Sequence, residues 1–255
     1  MDGANTKAGP KSKRSGSLGE TVKTIIYAGL IAVGVRTFAY EPFNIPSKSM
    51  VPTLLVGDYL FVSKFSYGYS RYSLPFGLPL IGGRIFFHPP VRGDVVVFKL
   101  PTDNTTDYIK RVIGLPGDRI QMVNGRLVIN GKELPRRRVG EYVDTDEYGN
   151  ATTYTKYMET LPNGREHVII EKSDNGMLDN TPVYTVPPNH YFCMGDNRDN
   201  SLDSRVLNMV GYVPEKNLVG RAEVLFFSSN GTAHLWEVWK WPTAVRFSRL
   251  FTGIH

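Results

Sequence analysis

An uncharged apolar run, residues 25–35 (IIYAGLIAVGV), divides this 255-residue chain into a short leader and a long body. With its flanks the run approaches the roughly 20 residues that a bilayer-spanning helix needs. Lys23 and Arg36 lie near its ends, where long side chains can reach the headgroup region. We therefore predict a transmembrane anchor over residues 21–41.

The leader, residues 1–20, is rich in Gly, Ser and Lys. It buries too little apolar surface to fold, so we expect a disordered basic tail. The positive-inside rule places this tail in the cytoplasm and the body on the opposite side of the membrane. A cleaved signal peptide and a buried core helix are the alternatives. Residues 36–41 (RTFAYE) offer a poor small-x-small cleavage site, which favours an uncleaved anchor.

The body is predicted to be mainly β. Its apolar runs are short, β-branched and bounded by turn residues, and 25 Gly with 17 Pro disfavour a helix bundle. Asn-Gly pairs at 124–125 and 130–131 predict successive hairpins. The predicted strands lie at residues 58–62, 94–98, 108–113, 119–123, 126–129, 152–157, 167–171, 183–186, 191–193 and 222–227.

The sequence becomes polar and turn-rich between residues 136 and 185, which we interpret as an inserted β subdomain. The main domain would then consist of residues 42–135 and 186–255. The formal net charge is +6, but its clusters lie in the leader and at Arg136, Arg137 and Arg138. We interpret this arginine cluster as a solvated loop, so no nucleic-acid partner is expected.

Several common kinds of site are excluded by the residues present. The single cysteine, Cys193, cannot form an internal disulfide or a thiolate zinc site. Neither Gly-x-Ser-x-Gly, Ser-x-x-Lys nor His-Glu-x-x-His occurs, and the five histidines show no ligand spacing. The glycines of residues 114–118 form a turn. We therefore predict no metal and no cofactor.

Three dense polar segments remain in the apolar β pattern: residues 46–54 (PSKSMVPTL), 107–111 (DYIKR) and 195–205 (GDNRDNSLDSR). Together with the anchor, Gly57-Asp58, residues 92–98 (RGDVVVF) and residues 114–118 (GLPGD), they resemble the bacterial type I signal peptidases. These are Ser/Lys membrane proteases that cut signal peptides from exported preproteins. Each motif alone is modest, but their shared order along nearly the whole chain is specific.

The resemblance implies a signal-peptidase-like antiparallel catalytic sheet with an inserted β subdomain and one transmembrane helix. It implies that Ser49 is the nucleophile and Lys110 the general base, and that the oxyanion hole consists of the Ser47 hydroxyl and the Ser49 N–H. Ser201 would orient the base. The ion pairs that brace the site would be Asp203 with Arg205 and Asp196 with Arg111, and the residues lining the lysine would be Phe98, Tyr108 and Cys193.

A lysine base must be neutral, so burial has to lower its pKa from about 10.4 toward the working pH. Tyr108, Lys110 and Val112 share one face of a predicted strand, which places apolar groups on both sides of the amine. Lys48 stands where many relatives carry Gly. Its charge could help to keep Lys110 neutral by repulsion, or its side chain could point to solvent, and we expect the latter.

The implied partners are signal-bearing preproteins that emerge from the export machinery, with the protein in the bacterial inner (cytoplasmic) membrane. We also expect membrane lipid to contact residues 73–81 and the Trp-rich segment with Trp236, Trp239 and Trp241. Two rivals remain: a self-cleaving Ser/Lys repressor protease, which the anchor disfavours, and a tethered binding module that has lost activity.

Overall fold

The computed structural model describes residues 18–74, 77–78, 80–145, 148–233 and 236–255. Most of the predicted tail, residues 1–17, lies outside this range. Helix α1 (Leu18–Phe38) has 21 residues, a mean hydropathy of 1.4 over its most apolar stretch and an exposed surface. Its length and composition suit a membrane span, as predicted, although it begins and ends three residues before the predicted bounds.

A single residue, Ala39, separates α1 from the first strand, and several contacts fix this junction. Glu41 accepts a hydrogen bond from Arg36 at 2.8 Å and pairs with Lys64 at 2.9 Å. The Lys64 N–H donates to the Ala39 carbonyl at 3.0 Å, and the Tyr69 hydroxyl donates to the Phe38 carbonyl at 2.8 Å. The end of the helix is therefore attached to the body by side chains and main chain.

The body is built from strands, which confirms the mainly β prediction. In the described residues these are β1 (Tyr40–Asn44), β2 (Asp58–Ser63), β3 (Tyr69–Ser70), β4 (Arg84–Ile85), β5 (Val95–Lys99), β6 (Asp107–Gly114), β7 (Arg119–Val123), β8 (Arg126–Ile129), β9 (Lys132–Glu133), β10 (Arg136–Thr145), β11 (Ala151–Thr160), β12 (Glu166–Glu171), β13 (Tyr184–Thr185), β14 (His190–Met194), β15 (Val213–Pro214) and β16 (Leu218–Ser228), with a short helix α2 (Trp241–Ala244) near the end.

Seven strands form the main antiparallel sheet, in the order β1-β2-β16-β5-β6-β14-β15. Apolar side chains on its two faces form separate clusters. One contains Leu60, Val97 and Leu225, and the other contains Val96, Phe98 and Val112. Strand β6 lies between β5 and β14, and its residues from Lys110 to Gly114 are buried.

A smaller sheet, β13-β7-β8-β9, shares an apolar cluster with residues of the main-sheet strands β6 and β14. The Asn-Gly prediction is confirmed here: Asn124 and Gly125 join β7 to β8 with φ of +48° and +69°, the left-handed pair that a two-residue hairpin turn needs. Asn130 and Gly131 repeat this conformation between β8 and β9, with φ of +55° and +79°.

A third sheet, β10-β11-β12, lies within the range assigned to the inserted subdomain. We call it the inserted sheet. The interpretation of the arginine cluster as a solvated loop is wrong, because these arginines begin β10. The Arg136 guanidinium is buried against the Tyr157 ring at 4.2 Å and pairs with Glu171 and Asp174. Alternation along a strand allows one arginine of a run to be buried while the next is exposed.

Candidate active site

Ser49 lies in the loop between β1 and β2, and contacts with the body hold this loop in place. Buried Met50 and Leu54 anchor it in the main core, and the Leu54 N–H donates to the Met50 carbonyl at 2.9 Å. At the far end, Gly57 has a φ of +86°, and a Cβ there would lie 2.0 Å from the Ser229 carbonyl oxygen. The Gly57-Asp58 motif is therefore required by close backbone packing.

The nucleophile and base proposed from the sequence are in direct contact. The Lys110 Nζ lies 2.6 Å from the Ser49 Oγ, although the two residues are 61 positions apart. Lys110 is 3% exposed and Ser49 8%. A second hydrogen bond, from Nζ to the Ile109 carbonyl at 3.0 Å, aims the amine. This is the arrangement in which an amine can remove a proton from a hydroxyl.

Burial lowers the pKa of Lys110 to about 8, against opposing attraction from Asp203 and Asp196. Among the described residues no carboxylate forms an ion pair with this amine. Apolar and aromatic groups lie near the amine. Nζ lies 5.3 Å from the centre of the Tyr108 ring, Phe98 packs against Tyr108, and Cys193 sits in the same buried cluster.

The predicted oxyanion donors lie beside the nucleophile. The Ser47 and Ser49 hydroxyl oxygens are 3.3 Å apart. In the part of the chain that the structure describes, no group accepts a hydrogen bond from the Ser49 N–H. The Ser49 N–H is thus available to an oxygen that approaches Ser49, and the Ser47 hydroxyl lies next to the nucleophile.

Two buried carboxylates near the site pair with arginines, and their bracing role stays a prediction. Asp196 pairs with Arg111 at 2.8 Å and accepts from the Thr53 hydroxyl at 2.5 Å. Asp203 pairs with Arg205 at 2.9 Å. Burial acts to raise the pKa of each carboxyl, but the paired guanidinium outweighs it and holds both pKa values below the usual range. Both carboxylates stay ionised, and that of Asp196 also holds Thr53 of the nucleophile loop.

The segment around Gly195 contacts the backbone of the nucleophile. A Cβ on Gly195 would lie 2.4 Å from the Ser49 carbonyl oxygen and 2.2 Å from the Ser201 Oγ, so only glycine fits. The Asn197 N–H donates to the same Ser49 carbonyl at 3.1 Å. Ser201 is buried beside this contact but makes no hydrogen bond to Lys110, whose partners are Ser49 and Ile109. The orienting role of Ser201 stays a prediction.

The inserted sheet supports this loop from the other side. The Ile170 N–H donates to the Asp196 carbonyl at 2.9 Å, and the Arg198 N–H donates to the Ile170 carbonyl at 3.0 Å. Arg198 forms two hydrogen bonds with Glu159 of β11, at 2.5 and 3.0 Å, and both side chains are 1% exposed. This buried pair joins the loop to the inserted sheet.

These observations give the setting for a comparison with known proteins. The family described as "Signal peptidase, peptidase S26" matches residues 18–227. This chain belongs to the signal peptidase family, peptidase S26. It is 41% identical over 244 residues to Signal peptidase I of Rickettsia typhi. The aligned region covers 88% of this chain and 89% of that protein.

A second relative carries the same name. Signal peptidase I of Rickettsia akari is 42% identical over 242 residues, with the same shares covered. A crystal structure of a signal peptidase I from Enterococcus faecalis V583 is 24% identical and covers 52% of this chain and 97% of that chain, with a TM-score of 0.31. The resemblance inferred from the motifs is confirmed, and the protein is a peptidase. Its exposed apolar N-terminal helix fits a membrane-anchored member of the family.

Sequence reasoning missed the contacts that reach the nucleophile loop from the inserted sheet. The expectation that Lys48 points to solvent is wrong: its Nζ pairs with Asp144 of β10 at 2.7 Å. A carboxylate 96 positions away leaves no local signal beside Lys48. The Arg198–Glu159 pair was missed for the same reason. No motif marks Glu159, whose role appears only when β11 packs against the loop.

Histidine plays no part in the contacts of the dyad. None of the histidines within the described ranges forms a hydrogen bond with Ser49 or Lys110. His167 is buried with its Nε2 3.5 Å from Glu159, and burial together with the Arg111 charge lowers its pKa to about 4. It is neutral at ordinary pH. His234 falls outside the described residues.

Proposed function

We propose that this chain is a membrane-anchored serine endopeptidase that cleaves N-terminal signal peptides from exported preproteins. Ser49 is the nucleophile and Lys110 the general base. The observation that carries the proposal is the 2.6 Å contact between a buried amine and a buried hydroxyl. The relatives, named Signal peptidase I, supply the substrate class.

In the first step the neutral Lys110 amine takes the Ser49 proton as Oγ attacks the scissile carbonyl carbon. The carbonyl oxygen becomes negative and accepts hydrogen bonds from the Ser49 N–H and the Ser47 hydroxyl. One such donor contributes about 3 kcal/mol to transition-state stabilisation in other proteases. The Lys110 ammonium then gives its proton to the leaving amine, and the C–N bond breaks. The products are the released mature chain and an acyl ester on Ser49.

In the second step Lys110, neutral again, takes a proton from a water molecule that attacks the ester carbonyl. The same two donors stabilise the second oxyanion. As the ester C–O bond breaks, the Lys110 proton returns to the Ser49 oxygen. The signal peptide leaves with a new carboxyl group, which loses the remaining water proton to solvent and becomes a carboxylate. No proton remains on the lysine, so the dyad is restored.

The substrate is expected to bind as an extended chain with small residues at positions 1 and 3 before the cut. An extended peptide binds most simply beside strands, with alternate side chains in shallow pockets. Strand β1 is an edge of the main sheet and leads directly into the Ser49 loop. We expect the apolar walls to come from Phe43 and Ile45, which lead into the Ser49 loop, and from the β6 segment that carries Lys110.

The proposed location is the bacterial inner membrane, with the catalytic body on the extracytoplasmic face and lipid as a second partner. Two of the three Trp side chains are largely exposed, Trp236 at 71% and Trp239 at 70%, near Arg246 and Arg249 in the chain. Exposed Trp beside basic residues is typical of headgroup contact. Within the other expected contact, residues 73–81, Leu80 is 78% exposed, whereas residues 75, 76 and 79 lie outside the described residues.

The test of this function uses the full chain in detergent with a purified signal-bearing preprotein. We expect cleavage by the natural chain and none above background by Ser49→Ala, a loss on the order of 10³-fold or more. Ser248→Ala, at an exposed serine, is the matched control and should cleave normally. Equal activity of the natural and Ser49→Ala proteins would show that Ser49 is not the nucleophile. If the natural protein cleaves no preprotein, the chain is a tethered module without this activity.

The pH profile offers a second test. The pKa of Lys110 is lowered to about 8, and only the neutral amine accepts the Ser49 proton. The rate of the natural protein should therefore rise about tenfold per pH unit below pH 8 and level off above it. Initial cleavage rates between pH 6 and 9 measure this. A flat profile over that range would contradict a lysine base.

A further inference from the structure

We infer that the ion pair between Lys48 and Asp144 positions the nucleophile. Lys48 stands between Ser47 and Ser49, and its side chain is held by a carboxylate of the inserted sheet. The pair thereby fixes the peptide unit whose N–H belongs to Ser49. This inference rests on the proposed function and assigns the inserted sheet a part in the reaction.

The contact is a close one. The Lys48 Nζ lies 2.7 and 2.9 Å from the two carboxylate oxygens of Asp144, so one ammonium meets both oxygens. Asp144 is the next-to-last residue of β10. The lysine side chain is 40% exposed and the aspartate 22%. Among the ion pairs of the described chain, this one alone joins the loop of residues 45–57 to the inserted sheet.

The main chain of Lys48 is held at the same time. Its carbonyl accepts from the Asn197 Nδ2 at 3.2 Å and from the Val51 N–H at 3.2 Å. In a trans peptide this carbonyl and the Ser49 N–H point in opposite directions. Fixing the carbonyl and the side chain of Lys48 therefore fixes the direction of the Ser49 N–H, which is the proposed oxyanion donor.

Apolar packing beside the ion pair fits this role. Tyr142 and Tyr154 of the inserted sheet pack in one cluster with Val51 and Leu55 of the nucleophile loop. Tyr142 precedes Asp144 by two positions on β10, so both side chains are on the same face of that strand. The ion pair and the aromatic cluster thus hold one side of the loop together.

The alternative role for Lys48 is electrostatic, with its charge repelling a proton from Lys110. The Lys48 charge is neutralised by Asp144 at close range, and the charges that shift the pKa of Lys110 most are those of Asp203, Asp196 and Arg205. Positioning and repulsion predict different results. Loss of positioning lowers the rate at every pH, whereas loss of repulsion moves the midpoint of the pH profile upward.

The experiment measures kcat, KM and the pH profile of preprotein cleavage by the full chain in detergent. We expect Lys48→Met and Asp144→Asn each to lower kcat about two- to tenfold, with KM within twofold and the midpoint unchanged. The double variant should be no slower than the slower single variant. Lys48→Arg, and the charge exchange Lys48→Asp with Asp144→Lys, should recover part of the rate.

The matched control is the ion pair between Arg138 and Glu141, which lies on the same strand at 2.6 Å and is exposed. Arg138→Met and Glu141→Gln should leave kcat unchanged. The inference is overturned if both Lys48→Met and Asp144→Asn keep the natural kcat, if their effects multiply in the double variant, if only KM changes, or if the midpoint shifts. Failure of the proposed function is distinct, because it appears as activity without Ser49 or as no activity in the natural protein.

Discussion

Lys110→Met should abolish preprotein cleavage while the protein remains folded. Methionine has a similar length and fits the apolar niche of Phe98, Tyr108 and Cys193, but it cannot accept the Ser49 proton. We expect the cleavage rate to fall by at least about 10³-fold. Initial rates with a signal-bearing preprotein give this effect, and thermal unfolding of the full chain in detergent reports the fold.

Lys110→Met should not lower the Tm of the protein. Desolvation opposes the charged form of Lys110, so replacing the amine with an apolar group should leave Tm unchanged or raise it. Lys132→Met, at an exposed lysine of β9, makes the same chemical change away from the site and should keep the natural rate. A Lys110→Met protein that is folded and cleaves at near the natural rate would refute the dyad.

Glu159→Gln should have the largest effect on stability. It leaves the Arg198 guanidinium buried without its carboxylate partner, and breaking one side of a buried ion pair costs about 3 to 5 kcal/mol. For a body of this size that is roughly 6 to 20 °C in Tm. Thermal unfolding of the full chain in detergent measures it.

Glu133→Gln is the matched control, because Glu133 belongs to an exposed pair with Arg126 at 3.7 Å. Its Tm should change little, since exposed ion pairs contribute about 0 to 1 kcal/mol. Glu159→Gln should also slow cleavage, because the chain next to Arg198 supplies the Asn197 contact to the Ser49 carbonyl. A Tm within 2 °C of the natural value would mean that the pair does not hold the inserted sheet to the site.

The strands could be predicted from the sequence because local patterns decide them. Residues 119–123 and 126–129 form β7 and β8 and alternate between buried and more exposed side chains. The Asn-Gly pair between them favours a two-residue hairpin turn. The predicted bounds of these two strands are those observed. The main-sheet strands β5 and β6 differ from their predicted bounds by one residue at each end.

The candidate site could be predicted only through resemblance. Nothing in the spacing of Ser49 and Lys110 brings them together, since their contact depends on how the β1–β2 loop folds over β6. The contacts that were missed or wrongly interpreted involve charges. Lys48, Arg136 and Arg198 each pair with a carboxylate on a strand that is distant in sequence. The sequence around a charged residue does not show whether its side chain is buried or solvated.

The junction of a single residue between α1 and β1 ties the catalytic body closely to the proposed membrane anchor. Ala39 alone separates the two elements, and Glu41 pairs with both Arg36 and Lys64 beside this junction. With α1 in the bilayer as proposed, Ser49 would be carried at a set height above the membrane surface. A scissile bond would then have to reach that height, so that depth of emergence would become a selection criterion alongside the residues around the cut.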